Sequence, residues 1–165
     1  MFLFNDSLTN QIDLLANAKY RLGQYGFDVA TGRGYRYYYN GGADSTVVGD
    51  VAAVRGTTFG YVSTTSGEGI INAAATCAYA AGVAQAVIPN GYCGWFQTSG
   101  PGRVAIAVTD GSVAAGDGLV IDGGATPAGA VDTMAAGEEA QVFGYAITAD
   151  SGTTQSADTY FLTLD

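Results

Sequence analysis

The 165-residue chain has no histidine, a single lysine (Lys19), two cysteines and three prolines. Each shortage removes a class of chemistry. Without histidine, the usual general base and the commonest transition-metal ligand are missing. Cys77 and Cys93, separated by fifteen residues, do not make a zinc site and are expected as two reduced, partly buried thiols. There is no G-x-S-x-G elbow, and Lys19 is the only amine a serine nucleophile could use. Glycine-rich phosphate loops are missing as well. Thr31-Gly32-Arg33-Gly34 is too short for one and reads as a turn into the strand that follows. Apolar runs stop well short of the ~18 residues that a membrane helix needs. The start, MFLFNDSLTNQIDLL, has no early Lys or Arg and only a three-residue apolar run after Met1. That is a poor signal peptide, so synthesis and folding are expected in a cytoplasm.

Charge is scarce and unevenly placed. Charged residues make up 13% of the chain and the net charge is −9. Residues 1–103 hold six acids and six bases, whereas residues 104–165 hold nine acids and no base. The acidic half repels nucleic acid and anionic membrane, because phosphate binding depends on Lys and Arg. It reads as a solvated face, with the charge-balanced half left to contact a partner.

What the chain does have is glycine, tyrosine and short β-forming runs: 25 Gly and 11 Tyr among 48% hydrophobic residues. Strands are expected at Tyr35–Tyr39, Val51–Val54, Gly60–Thr64, Val83–Ile88, Gly94–Thr98, Val104–Val108, Leu119–Ile121, Gln141–Thr148 and Thr159–Leu164. Gly100-Pro101 is expected to break the chain between two of them. Turn chemistry such as Asn90-Gly91 and Asp122-Gly123-Gly124, recurring every ~8–12 residues, predicts an all-β, single-domain antiparallel sandwich or barrel over residues 21–165. Residues 1–20 are expected as an arm. Leu8, Ile12 and Leu15 have helical spacing, so residues 8–19 form either a short helix or an extended segment. The run Ile71 to Ala81 suits a helix or a closely packed strand. Val47-Val48-Gly49-Asp50-Val51 and Val113-Ala114-Ala115-Gly116-Asp117 echo each other, with Gly-Asp turning the chain before it re-enters a sheet.

Carboxylates and aromatics are the remaining candidates for chemistry. Glu138 and Glu139 are adjacent beside Gly137, which suits a solvent-exposed turn. A catalytic pair must instead face across a cleft at ~5–9.5 Å. Asp110, Asp117 and Asp122 lack the D-x-D-x-D-G spacing of a calcium loop and read as turn aspartates. No metal or cofactor is expected. On a strand, Tyr35, Tyr37 and Tyr39 share one face while Arg36 and Tyr38 share the other. Trp95 and Phe96 likewise point to opposite faces, one expected in the core and the other as an interface anchor. With Arg33, these residues form the candidate interface: Arg33, Tyr35, Arg36, Tyr37, Tyr38, Tyr39, Trp95 and Phe96.

Four segments, in order, resemble a family of tailed-phage head decoration, or cement, proteins. They are GRGYRYYYNGGADSTVVGDV (Gly32–Val51), GVAQAVIPNGYCGWFQTSGP (Gly82–Pro101), VAAGDGLVIDGG (Val113–Gly124) and EEAQVFGYAIT (Glu138–Thr148). The resemblance spans about residues 20–150. It implies a non-enzymatic β-sandwich or barrel, usually trimeric, seated on the outer capsid surface where major capsid protein subunits meet. It implies no catalytic residues and no contact with nucleic acid or membrane. A carbohydrate-binding or adhesive module that uses tyrosine and tryptophan is the competing reading, and an acid-dependent hydrolase ranks third.

Overall fold

The computed structural model describes residues 2–4, 8–54, 60–63, 77–105, 112–122, 130–150 and 156–162. Among them the fold is all-β, as composition and turn spacing predict. The strands are β1 (Phe2–Phe4), β2 (Asp13–Leu14), β3 (Tyr25–Asp28), β4 (Arg33–Asn40), β5 (Val51–Val54), β6 (Tyr61–Ser63) and β7 (Cys77–Ala78). They continue with β8 (Ala80–Ala84), β9 (Tyr92–Ala105), β10 (Gly118–Asp122), β11 (Val131–Thr133), β12 (Gly144–Ala146) and β13 (Ser156–Phe161). The expected helix over 8–19 is replaced by 3-10 turns at Leu8–Asn10 and Leu15–Asn17 with β2 between them. The described end of the Ile71–Ala81 run is strand, and its earlier residues lie outside the described set.

Five strands close on themselves. β4 pairs with β6, β6 with β5, β5 with β8, β8 with β9, and β9 returns to β4. The β4–β6 pairing is parallel and the other four are antiparallel. Closure removes the sheet edges that would otherwise template aggregation. The ring is filled by Tyr38, Ala52, Val62, Ala81, Ala84, Phe96 and Ile88. The alternate residues of β5 and β8, Val51, Ala53 and Val83, leave the ring and pack on Leu119, Ile121, Val131, Phe143 and Phe161 of the second half. On β5 this period-2 alternation lets one strand serve two cores, and on β8 a register shift between the Ala52–Gly82 and Ala53–Ala80 pairs changes the phase, so that Ala81 and Val83 face different cores.

The second half repeats the first. Along the sheet the order β6-β5-β8-β9-β13-β12-β10-β11 reads the same from either end if β5, β6, β8 and β9 are matched to β10, β11, β12 and β13. The Gly-Asp echo marks the start of each unit. Gly49 and Gly116 both have φ +96°. Asp50 and Asp117 each accept a hydrogen bond from the backbone N–H three residues earlier, at Val47 (2.5 Å) and Ala114 (2.8 Å). Gly49 N–H donates to Ala84 O while Ala84 N–H donates to Asp50 O, at 2.7 and 2.8 Å. Gly116, Ala146 and Asp117 repeat that exchange at 2.8 and 3.0 Å. A third turn of the same make, Ala135 to Glu138, also carries a glycine at φ +96°.

Gly100-Pro101 does not break the chain. Residues 92–105 form one 14-residue strand whose first part belongs to the ring and whose second part pairs with β13 from Gly100 to Ala105. Proline is tolerated because the strand changes partners there: β4 pairs as far as Ser99, and β13 begins at Gly100. Gly100 supplies the bend, with φ +85° and room for no Cβ, which would lie 2.7 Å from Gly32 O. Gly116 has the same hand of φ but open space around it. Gly116→Ala is therefore expected to cost only the left-handed strain of about 1–2 kcal/mol. Gly100→Ala is expected to cost clearly more in urea unfolding at equal m-value. Equal losses would show that the bend in β9 is not tightly packed.

Candidate functional site

The sequence candidates come together around β4 and β9, and most of them face inward. Tyr37 and Phe96 have 0% exposure, Trp95 1% and Tyr35 2%, while Tyr38 is also buried. Trp95 and Phe96 do point to opposite faces, but both faces are interior. Phe96 fills the ring beside Tyr38, their centroids 6.2 Å apart. Trp95 lies under the N-terminal segment with Leu8, Tyr35, Tyr37 and Cys93. Arg33, Arg36 and Tyr39 are half-buried. Arg36 sits 5.9 Å from the Tyr25 ring centroid and donates to Gly23 O at 3.3 Å, and Tyr39 packs edge-on against Tyr61 at 4.7 Å.

The N-terminal cover is tied down by a polar contact. Tyr37 Oη donates to Asp13 Oδ2 at 2.8 Å, and Lys19 Nζ lies 3.2 Å from Asp13 Oδ1. Tyr20 adds edge contacts to Tyr37 and Trp95 at 5.3 and 5.1 Å, and donates to Gln11 Oε1 at 2.7 Å. Burial and the adjoining Asp13 push the Tyr37 hydroxyl far above its ordinary range. Burial lifts the Cys93 thiol to about 11, which leaves it protonated and unreactive at neutral pH. Leu8 is 1% exposed, so this segment is part of the core.

The carboxylates are committed to turns. Asp28 accepts from Thr31 Oγ1 at 2.7 Å and Ala30 N–H at 2.9 Å. Glu138 and Glu139 accept from Ala135 and Gly137 N–H at 2.8 and 3.3 Å, forming the expected surface turn. Asp110 lies outside the described residues, and no three possible metal ligands gather among those described.

Besides Tyr79, which is 42% exposed between β7 and β8, the exposed aromatics among the described residues lie on the outer face of the second unit. Tyr145 and Tyr160 are directly opposite across β12 and β13, at 47% and 54% exposure. Met134, Ile147 and Leu162 are also exposed. Beside Tyr145 lies a groove of about 410 Å³ lined by Gly116, Asp117, Gly118, Thr133 and Met134. Sequence reasoning passed over this face. The alternation in Gly144-Tyr145-Ala146-Ile147 marks it, since the small residues turn inward. A smaller patch in the first unit comprises Val47, Val48 and Val87. Thr46 links the two chain segments through Ile88 N–H and O and Ala86 O.

No protein-family model matches the chain, and no curated protein matches it. Among solved structures it is similar to one described as the head fiber gp8.5 N base of bacteriophage phi29. The likeness has 15% identity and a TM-score of 0.48, and it covers 79% of this chain and 98% of that one.

Truncation of the cover tests its place in the core: Leu8→Ala is expected to cost about 2–5 kcal/mol in equilibrium unfolding. A change under ~0.5 kcal/mol would make the segment a loosely held arm.

Two aspartates give opposite pH dependences. The Thr31 hydroxyl, with backbone N–H groups and Arg33, holds Asp28 below the ordinary carboxylate range. Its stabilisation is present above the ordinary aspartate value and is lost as pH falls from there through the lowered one. Burial pushes Asp50 up, against the Val47 N–H. Its contribution is present below the ordinary aspartate value and is lost as pH rises through the raised one. Denaturation between about pH 3 and 7 is expected to show Asp28→Asn flattening the acid loss and Asp50→Asn flattening the opposing trend. Parent-like slopes in both variants would contradict these assignments.

Proposed function

We propose that this chain is a non-enzymatic structural protein of a phage virion. It binds the outer capsid surface and stabilises the shell by clamping neighbouring subunits of the major capsid protein. A homotrimer is the proposed form, and nucleic acid and membrane are not partners. The observation that carries this reading is the ordered set of four segments resembling head decoration proteins. Those segments supply the framework of both units: β4 and the first Gly-Asp turn, most of β8 with the ring part of β9, the second turn with β10, and β12. A clamp needs contact area rather than a reactive group. A standard interface buries ~1,600 Å², and several weak contacts made together act as one strong one.

The contact is proposed on the charge-balanced half, with the acidic half outward. Val47, Val48 and Val87 present an exposed apolar patch there, at 62%, 52% and 52% exposure. Arg33, Arg36 and Tyr39, half-buried, are the sequence candidates that keep surface for such a contact. Purified virions are expected to contain near-stoichiometric copies of the chain per capsid subunit by quantitative mass spectrometry. A handful of copies would move it to the tail or a fibre, and none would end the virion reading. In co-sedimentation with expanded shells, Val48→Asp and Val87→Asp are expected to weaken binding at least roughly tenfold, about 1.4 kcal/mol. Parent-like binding by both variants would place the contact elsewhere.

A further inference from the structure

The internal repeat identifies a face that the first unit covers and the second leaves open. Val51 pairs with Val83 in the first unit as Gly118 pairs with Tyr145 in the second. Val51 and Val83 lie in the core between the units, at 1% and 0% exposure. At the equivalent place, Tyr145 stands in solvent at 47%, with Tyr160 opposite it at 54%. A sheet face that merely ends at water is expected to carry small polar or charged residues, and two aromatic rings at its centre expose large apolar area without a packing gain.

From this we propose that the outer face of the second unit is a binding site for a neutral glycan. Tyr145 and Tyr160 serve as stacking platforms, and the adjoining groove takes the sugar hydroxyls. Among the described residues, neither tyrosine makes a ring contact or a side-chain hydrogen bond, and each leaves about half of its surface, 47% and 54%, open to a ligand. Tyr20 and Tyr37, by contrast, each have a ring partner and a bonded hydroxyl. Sugars present one apolar C–H face and a rim of hydroxyls, which matches an aromatic ring bordered by polar groups. The groove supplies that rim. Asp117 engages Ala114 N–H through Oδ2 and has Oδ1 as a further acceptor, and Thr133 adds a hydroxyl oxygen that accepts while its proton goes to Asp132 Oδ1 at 3.4 Å. Gly116 and Gly118, without side chains, leave the groove floor open to close approach.

Charge selects among ligands that stack on aromatic rings. Nucleic acid also stacks on tyrosine, but its binding needs a cationic groove. The second half carries nine acids and no base after Arg103. Arg103 itself is ion-paired with Asp158 at 3.7 Å, on the same outer side of β9 and β13. Phosphate and sialylated glycans are therefore disfavoured, and an uncharged hexose or N-acetylhexosamine chain fits. The site does not depend on the capsid reading. Under that reading, it lies on the half that points away from the shell.

The test uses the full chain against an array of neutral hexose and N-acetylhexosamine oligosaccharides, with hits titrated by ligand-observed NMR. The parent is expected to bind at least one oligosaccharide. Tyr145→Ala and Tyr160→Ala are each expected to lower affinity at least roughly tenfold with little change in thermal midpoint. Tyr160→Leu, which keeps apolar area but no ring, is expected to lose binding as well. Tyr79→Ala, at an exposed tyrosine outside this face, is expected to bind like the parent. No binding to any member of the array would overturn the proposal. So would binding that survives both alanine variants. Concentration-dependent self-association abolished by Tyr145→Ala, without glycan binding, would instead make this face a contact between copies and would equally overturn it.

Discussion

The rest of the fold depends on the continuity of β9. This one strand pairs with β4 along one side, with β2 and β8 along the other, and then with β13 in the second unit. Its side chains alternate between the ring interior, where Phe96 packs, and the N-terminal cover, where Cys93 and Trp95 pack. If β9 ended at Ser99, the ring would still close, but the two units would lose the pairing from Gly100 to Ala105 that joins them. The bend at Gly100 is therefore the joint of the molecule.

A repeated four-strand unit explains how a chain with so few charges and so many glycines builds a stable core. Each unit alone is a small, highly curved sheet with two faces to bury. The first unit buries one face by closing into a ring with β4 and the other against its own repeat. Among the described residues, the second buries only the face turned toward the first. Edges are handled locally. The β11 edge N–H of Thr133 is taken by the Asp132 carboxylate at 2.6 Å, which blunts it as a template for another strand.

The proposed function draws on the same asymmetry. The aromatic residues that draw the eye in the sequence are spent on the ring and its cover, so they hold the scaffold together. Among the described residues, the exposed apolar surface includes a valine patch on the charge-balanced half and a tyrosine pair on the acidic half. Asp28, Asp50, Asp117, Glu138 and Glu139 are held by turns.

The sequence by itself determined the class of fold and the positions of its punctuation. Val51–Val54 is a strand as expected, Tyr35–Tyr39 lies inside β4, and the Gly-Asp echo marks the start of each repeat, because period-2 patterning and positive-φ glycine are local properties of the chain. Burial is not local. Whether the second face of Tyr38 or Phe96 meets water depends on the ring closing, which requires pairings between residues such as Tyr39 and Tyr61 or Tyr35 and Gln97 that lie far apart in the chain. The same applies to Gly100-Pro101, where the local signal says break and the change of partner strand makes an extended bend the better solution. Tertiary structure decided which tyrosines are core and which are surface, because only the completed sheet order shows that the second unit has nothing packed over Tyr145 and Tyr160 among the described residues.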